Sequence, residues 1–216
     1  MLEPLKGFFR GRGQSGGMPP VPPGGRMGSN GRMSAEPSVS TRQSRGLEEF
    51  FVQIRDTSGL TILDLGHRLC SEDFVRILNE AFGAEDGADQ TNPGRIEYFL
   101  KQTLDYPEGH FDGVLIWDTL EYLHPVLLNA VVERLHRIVR PKAYMLSFFH
   151  SDDKLEDVPN YTFRIQQVNS LEVTQQGMRT PAQLYNNRSL EKLFARFESV
   201  KFFLTRERLR EVIIKV

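Results

Sequence analysis

The sequence predicts an α/β fold: a mostly parallel sheet with helices on both faces, closed by an antiparallel strand pair at the C-terminus. Three observations predict it. Thr61–Gly66, Asp112–Trp117 and Ala143–Phe149 are short apolar runs, the pattern of strands buried on both faces. Helix-period stretches lie between them, and strands alternating with helices imply parallel, right-handed crossovers. The last two apolar runs, Val200–Thr205 and Glu211–Val216, are joined by a link too short for a helical crossover, so they must pair antiparallel.

Each element has its own signal. Leu47, Phe50, Phe51 and Ile54 share one helical face, and Gly59 stops that helix. The Thr61–Gly66 strand follows. Ser71 is a plausible N-cap for a helix whose face is Phe74, Ile77, Leu78, Ala81 and Phe82, ended by Gly83. Ala84–Gly94 is acidic and carries no β-branched residue before Thr91, so no strand is placed there. Ile96–Leu100 reads as a strand. After the Asp112–Trp117 strand, a long helix runs from about His124 to Arg140. Leu127, Leu128, Val131, Val132, Leu135, Ile138 and Val139 form its stripe, and Pro141 ends it. Asp152–Pro181 is polar, with a hairpin expected between Thr162–Val168 and Leu171–Thr174 across Asn169-Ser170. Long polar segments over the carboxyl edge of a sheet often serve as lids or substrate selectors. Ser189–Phe197 reads as a short helix.

Composition divides the 216 residues in two. Residues 1–46 hold ten Gly and six Pro, with seven Lys/Arg against two acids. Such a stretch buries too little apolar surface to offset the entropy of ordering, so residues 1–44 are expected to be a disordered tail and 45–216 the folded domain. The other 170 residues carry 20 basic and 26 acidic groups. The overall charge of −1 argues against a nucleic-acid binder as a whole, leaving only a weak contact through the basic Leu5–Gly13 run. No apolar run approaches the ~18 residues of a membrane span, and the start lacks the h-region of a signal peptide. One cysteine, Cys70, excludes an intramolecular disulfide and fits a reducing, cytoplasmic compartment. Cys70 at a helix start is either a reactive thiol or a small buried residue. The five histidines show no metal-ligand spacing.

In open α/β sheets, ligands bind beyond the carboxyl ends of the strands. Asp64 lies near the end of the first strand and Asp118 directly follows Trp117, while Asp105 falls in a loop between elements. Acids in such a crevice accept hydrogen bonds from an amine or a ribose hydroxyl, or they cap the next helix. His136, on the long helix, reads as a surface or core-edge residue.

Several motifs, in order and spacing, resemble class I S-adenosylmethionine-dependent methyltransferases, of the methyltransferase type 11-like kind. "TILDLG" (Thr61–Gly66) is similar to their first motif, and "FDGVLIWDTLEYL" (Phe111–Leu123) to their fourth-strand motif. "LHRIVRPKAYMLSFF" (Leu135–Phe149) resembles the approach to their fifth strand, and the C-terminus their last helix and final strand pair. The resemblance spans about Leu47–Val216. It implies a Rossmann-like seven-stranded sheet, S-adenosylmethionine as cofactor, and an unknown methyl acceptor as partner. It implies cofactor contacts from Asp64, Gly66, Asp105, Trp117 and Asp118, with Glu85, Asp86 or Asp89 holding the ribose. Tyr122 and His124 are the candidate catalytic residues, Tyr122 standing where many members carry His. Trp117 and Tyr122 contact the adenine or lean on the sulfonium, or Trp117 packs in the core.

The chain departs from the family at its first loop, where Gly66 is followed by His67-Arg68-Leu69-Cys70 instead of further glycines. Arg140-Pro141-Lys142-Ala143 likewise lacks the usual paired glycines. Two functions compete: an active methyltransferase, supported by Asp64, Asp118 and the terminal hairpin, and a catalytically inactive methyltransferase-like domain that binds a protein partner, supported by the changed loop. A nicotinamide-binding fold needs Gly-x-Gly-x-x-Gly after the first strand, and the sequence has none.

Overall fold

The computed structural model describes residues 38–55, 59–65, 89–205 and 208–216. Its described elements are β1 (Ser38–Gln43), α1 (Arg45–Ile54), β2 (Ile62–Asp64), α2 (Pro93–Thr103), β3 (Phe111–Trp117), a 3-10 turn (Thr119–Tyr122), α3 (Pro125–Ile138), β4 (Val139–His150), β5 (Val158–Gln167), β6 (Ser170–Arg179), α4 (Asn187–Leu193), β7 (Ser199–Leu204) and β8 (Leu209–Lys215).

Five strands form the main sheet, in the order β2-β3-β4-β8-β7. β2, β3 and β4 run parallel; β8 is antiparallel to β4, and β7 to β8. Alternation along the strands sorts the core into two layers. Val114 and Ile116 of β3, Met145 and Phe149 of β4, and Val212 and Ile214 of β8 pack with α2, α3 and α4. Leu115, Trp117, Leu146, Phe148 and Ile213 face the other way, toward Leu47, Phe50 and Ile54 of α1 and Leu171 and Val173 of β6.

The expected seven-stranded sheet is therefore corrected to a mixed sheet of five, accompanied by a separate antiparallel sheet in the order β1-β6-β5. The 158–179 hairpin does not extend the main sheet. It lays Tyr161, Phe163, Leu171 and Val173 against that sheet's face, which the α1 side leaves apolar. Any strand or helix in 66–88, including the one expected after Ser71, lies outside the described residues.

Two further expectations change. Ile96–Leu100 is not a strand but the middle of α2, capped by Asn92, whose Oδ1 accepts from the amides of Gly94 (3.0 Å) and Arg95 (3.3 Å). Pro93 at the first helical position and the buried series Ile96, Phe99, Leu100, Thr103 give the helical period. Order also begins earlier than Leu47. Ser38–Gln43, assigned to the tail, pairs with β6 from Ser38↔Gln175 to Gln43↔Ser170. Its sequence, SVSTRQ, offers one aliphatic residue, Val39, which is exposed, so the strand forms on backbone pairing supplied by β6 and on its one buried side chain, Arg42.

Asp112 ties the sheet together at its amino edge. Its Oδ2 accepts from the Thr61 amide at 2.9 Å, and its Oδ1 pairs with Arg140. Lys142 takes φ +69° where the resemblance leads one to expect glycine, and its amide donates to the Val216 carbonyl at 2.6 Å.

Gly113 is a close-approach site. A Cβ there would lie 2.8 Å from Phe50 Cζ, and the Phe50 ring is fully buried. Gly113→Ala is expected to cost about 1–3 kcal/mol by overpacking. Adding Phe50→Leu should return part of that loss in denaturant titrations; equal stability of Gly113→Ala and the parent would refute the packing account.

Candidate functional site at the carboxyl edge

β2, β3 and β4 end side by side, on Asp64, Trp117 and His150. β8 runs the other way, so its first residues, Leu209 and Arg210, sit beside His150 and Phe149. The carboxyl ends of three parallel strands thus meet the start of one antiparallel strand.

Trp117 ends β3 with φ +59°, a conformation unusual for a large side chain. The indole N–H donates to Asp64 Oδ1 at 2.8 Å. The Trp117 carbonyl accepts from Ser147 Oγ at 2.9 Å. Its ring stacks on Phe163 of β5 (centroids 5.2 Å apart, 9° between planes) and meets Phe148 edge-on at 5.5 Å. Trp117 is buried and Asp64 half-buried.

Asp118 follows and precedes the 3-10 turn. It is 1% exposed. Burial, and then the charge of Glu121, push its carboxyl up to about 7, against smaller opposing effects from His150 and Arg179.

Glu121 is fully buried and works in three directions. Oε2 meets His150 Nδ1 at 2.6 Å, Oε1 accepts from the His150 amide at 2.9 Å, and its carbonyl accepts from the amides of Ala182 (2.8 Å) and Gln183 (3.2 Å). Burial raises its carboxyl above the ordinary value, with the His150 contacts opposing. Burial alone would lower the His150 ring. The hydrogen bond and charge of Glu121, with Asp118 and the Pro159 carbonyl, outweigh it and raise the ring above 6.5. Arg210 donates to the carbonyls of Tyr185 (2.8 Å) and Ser151 (3.3 Å). The Tyr185 hydroxyl is pushed up to about 12 by burial and by Glu121.

Tyr122 is buried beneath Arg179 of β6, whose guanidinium carbon lies 4.0 Å from the ring centroid. His124 is exposed and caps α3: its Nδ1 accepts from the Val126 amide at 3.3 Å. Its own amide donates to Gln90 Oε1 at 2.8 Å, which brings the 89–91 segment to the same edge. Asp89 there accepts from the Thr91 amide and hydroxyl, which hold its carboxyl below the usual range.

The fold therefore brings Asp64, Trp117, Asp118 and Tyr122 together, with His124 and Asp89 at the rim. Asp105 is not among them. It is exposed, on the loop that leads into the amino end of β3, the loop whose Gly109 carbonyl accepts from Arg140. Gly66, Cys70, Glu85 and Asp86 lie outside the described residues. His136 sits on α3 against the edge of Phe197, at 5.0 Å. Glu121, His150, Arg179 and Arg210 went unread in the sequence. The rule that found Asp64 also finds His150, a polar residue closing an apolar strand. Glu121 lay inside the quoted fourth-strand motif. Nothing local marks Arg179 or Arg210. Among the described residues, no helix is long and apolar enough to cross a membrane.

No family model matches the sequence, and no curated protein matches it. In structure the chain is similar to several solved S-adenosylmethionine-dependent methyltransferases. One is the 1,6-didemethyltoxoflavin-N1-methyltransferase of Burkholderia thailandensis, solved with 1,6-didemethyltoxoflavin and S-adenosylhomocysteine: 14% identity, 79% of this chain and 76% of that chain, TM-score 0.40. Others are from Methanosarcina mazei (15% identity, 71% and 91% covered, TM-score 0.38) and Archaeoglobus fulgidus (15%, 79% and 92%, TM-score 0.41).

Proposed function

We propose that this protein is an S-adenosylmethionine-dependent methyltransferase, cytoplasmic in keeping with its single cysteine. The observation that carries the reading is the placement of the motif acids. Asp64 and Asp118 stand at adjacent carboxyl ends of parallel strands, in a sheet whose order ends in the antiparallel pair that the resemblance calls for. The donor set fits the cofactor. A half-buried carboxylate at Asp64 suits an ammonium or ribose hydroxyl, whereas the ring of Tyr122 lies beneath Arg179 and that of Trp117 is stacked on Phe163, so a sulfonium would meet them only with the β5–β6 hairpin displaced.

S-adenosylmethionine supplies an electrophilic methyl on a sulfonium. The chain's own part is to bind, orient and keep out water. Asp64 would bind the cofactor, with Gly66 as the resemblance implies, Trp117 and Asp118 would shape the inner wall, and the exposed His124 at the rim would be the residue nearest an acceptor, Tyr122 being covered by Arg179. Holding donor and acceptor at near-attack distance contributes on the order of 7–11 kcal/mol in such displacements. Asp105, on the opposite edge, has no part in the proposal.

One observation favours a second reading. Asp64 already accepts the Trp117 indole N–H, and Trp117 and Asp118 are covered. A methyltransferase-like domain that binds a protein partner would keep such a closed edge.

Calorimetric titration of S-adenosylmethionine and S-adenosylhomocysteine into the full chain separates the two. Micromolar binding is expected, weakened roughly 10- to 100-fold by Asp64→Ala, the worth of a hydrogen bond to a charged group. Trp117 is the chain's one tryptophan, so its fluorescence should change in the same titration. No heat and no thermal shift at millimolar ligand would reject the enzyme and leave the binding module.

A further inference from the structure

His150 closes β4 with both ring nitrogens facing acceptors. Nδ1 lies 2.6 Å from Glu121 Oε2, and Nε2 lies 3.2 Å from the carbonyl oxygen of Pro159, the second residue of β5. A neutral imidazole has one N–H and one lone pair, so it can serve only one of these oxygens and must turn its lone pair on the other. The side chain is 4% exposed. Only the doubly protonated ring donates to both oxygens.

The Pro159 contact sits at the root of the hairpin that covers the site. From that hairpin, Tyr161 stacks on His150 (6.0 Å, 17°), Phe163 stacks on Trp117, and Arg179 lies over Tyr122. We propose that His150 is a pH-operated latch: as an imidazolium it ties Pro159 to Glu121 and holds the β5–β6 hairpin over the carboxyl edge, and on losing its proton it lets the amino end of β5 go.

The charged and titratable groups around the ring set the direction. Asp118 and Glu121 face it from the segment after β3 and favour the proton. Arg210 of β8 and Arg179 of β6 act on those acids, Tyr161 of β5 stacks on the ring, and Tyr185 adjoins Glu121. With the folded value raised above the unfolded 6.5, the latch is complete below about pH 6.5 and is lost as pH rises through the folded value. The link to catalysis rests on the methyltransferase reading; the latch does not.

The test uses the full chain with isotope-labelled imidazoles, the His150 signal being assigned by its loss in His150→Gln. Both ring nitrogens should carry protons at pH 6, with a midpoint above 6.5. Amide exchange in Asn160–Phe163, corrected for its intrinsic base catalysis, should speed up at least tenfold across the same midpoint. In His150→Gln, whose amide cannot donate in both directions, exchange should be fast throughout. A neutral, single-tautomer ring at pH 6, or exchange that ignores the midpoint, overturns the latch. If His150→Gln fails to fold, Glu121→Gln, which should lower the midpoint, identifies the signal instead, and the titration and exchange of the wild-type protein still decide. S-adenosylhomocysteine added on either side of the midpoint should bind at least tenfold more tightly above it. Absence of any binding overturns the methyltransferase reading alone, whereas binding at equal affinity overturns the gating role of the latch.

Discussion

Glu211→Ala should lower stability by about 3–5 kcal/mol, because it breaks a buried ion pair and removes a helix-start acceptor in one step. Glu211 lies fully buried in β8. One oxygen meets Arg42 Nη2 at 3.2 Å, and the other accepts from the Gly46 amide at 2.6 Å. Gly46 is the second residue of α1, so the carboxylate also sits at the positive end of that helix. Arg42 comes from β1 and packs over Phe148, its guanidinium carbon 5.3 Å from the ring centroid. The residue therefore joins β1, α1 and β8. For a chain of this size, melting should fall by roughly 6–20 °C. Arg42→Met with Glu211→Met, which removes both charges and fills the space, should recover much of the loss. A Glu211→Ala protein within 1 kcal/mol of the parent would mean the pair is hydrated and the burial wrong.

Asp118→Asn should stabilise the protein at neutral pH and do nothing in acid. Burial, followed by the Glu121 charge, lifts the Asp118 carboxyl from an ordinary 3.8 to about 7. The sign follows from linkage. A raised acid favours the fold while protonated, and that advantage erodes as pH climbs from the unfolded value to the folded one. The amide mimics the protonated acid at every pH. Stability of Asp118→Asn relative to the parent should therefore grow from nothing near pH 4 to as much as ~4 kcal/mol near pH 8, at about 1.36 kcal/mol for each pH unit of the difference. Paired urea titrations at the two pH values measure it. Equal curves at pH 8 would place the Asp118 carboxylate in contact with a compensating cation or with water.

Asp118 and Glu211 differ in how much of their setting a local stretch of sequence encodes. Asp118 was visible as a polar residue closing an apolar strand, and the same logic singled out Asp64. Glu211 was not. In sequence it is a charge in a C-terminal strand, and only the arrival of Arg42, 169 residues earlier in the chain, explains its burial. The same holds for the second sheet. β5 and β6 form a hairpin whose turn could be read locally, although both strands run longer than their apolar residues suggested. β1 could not be read at all, since what holds it is the free edge of β6 and a buried ion pair.

α2 is a different kind of miss. Asn92-Pro93 is a helix start, and the apolar residues that follow keep a three- and four-residue spacing. A short apolar run of five residues reads equally as strand or helix, and the cap decides.

Local sequence was enough for the parallel core strands, the body of the long helix α3 (though not its end, since Val139–Pro141 belong to β4), the antiparallel closing pair, and the acids at the strand ends, because period and apolar run length are properties of neighbouring residues. Tertiary structure alone decided that Asp105 falls on the far edge, that Trp117 turns its indole onto Asp64, and that Glu121 and His150 share a buried contact. Those facts depend on which strand ends lie side by side and on what the β5–β6 hairpin covers. The buried charges are stable only through partners distant in the chain, and no local pattern of residues encodes that proximity.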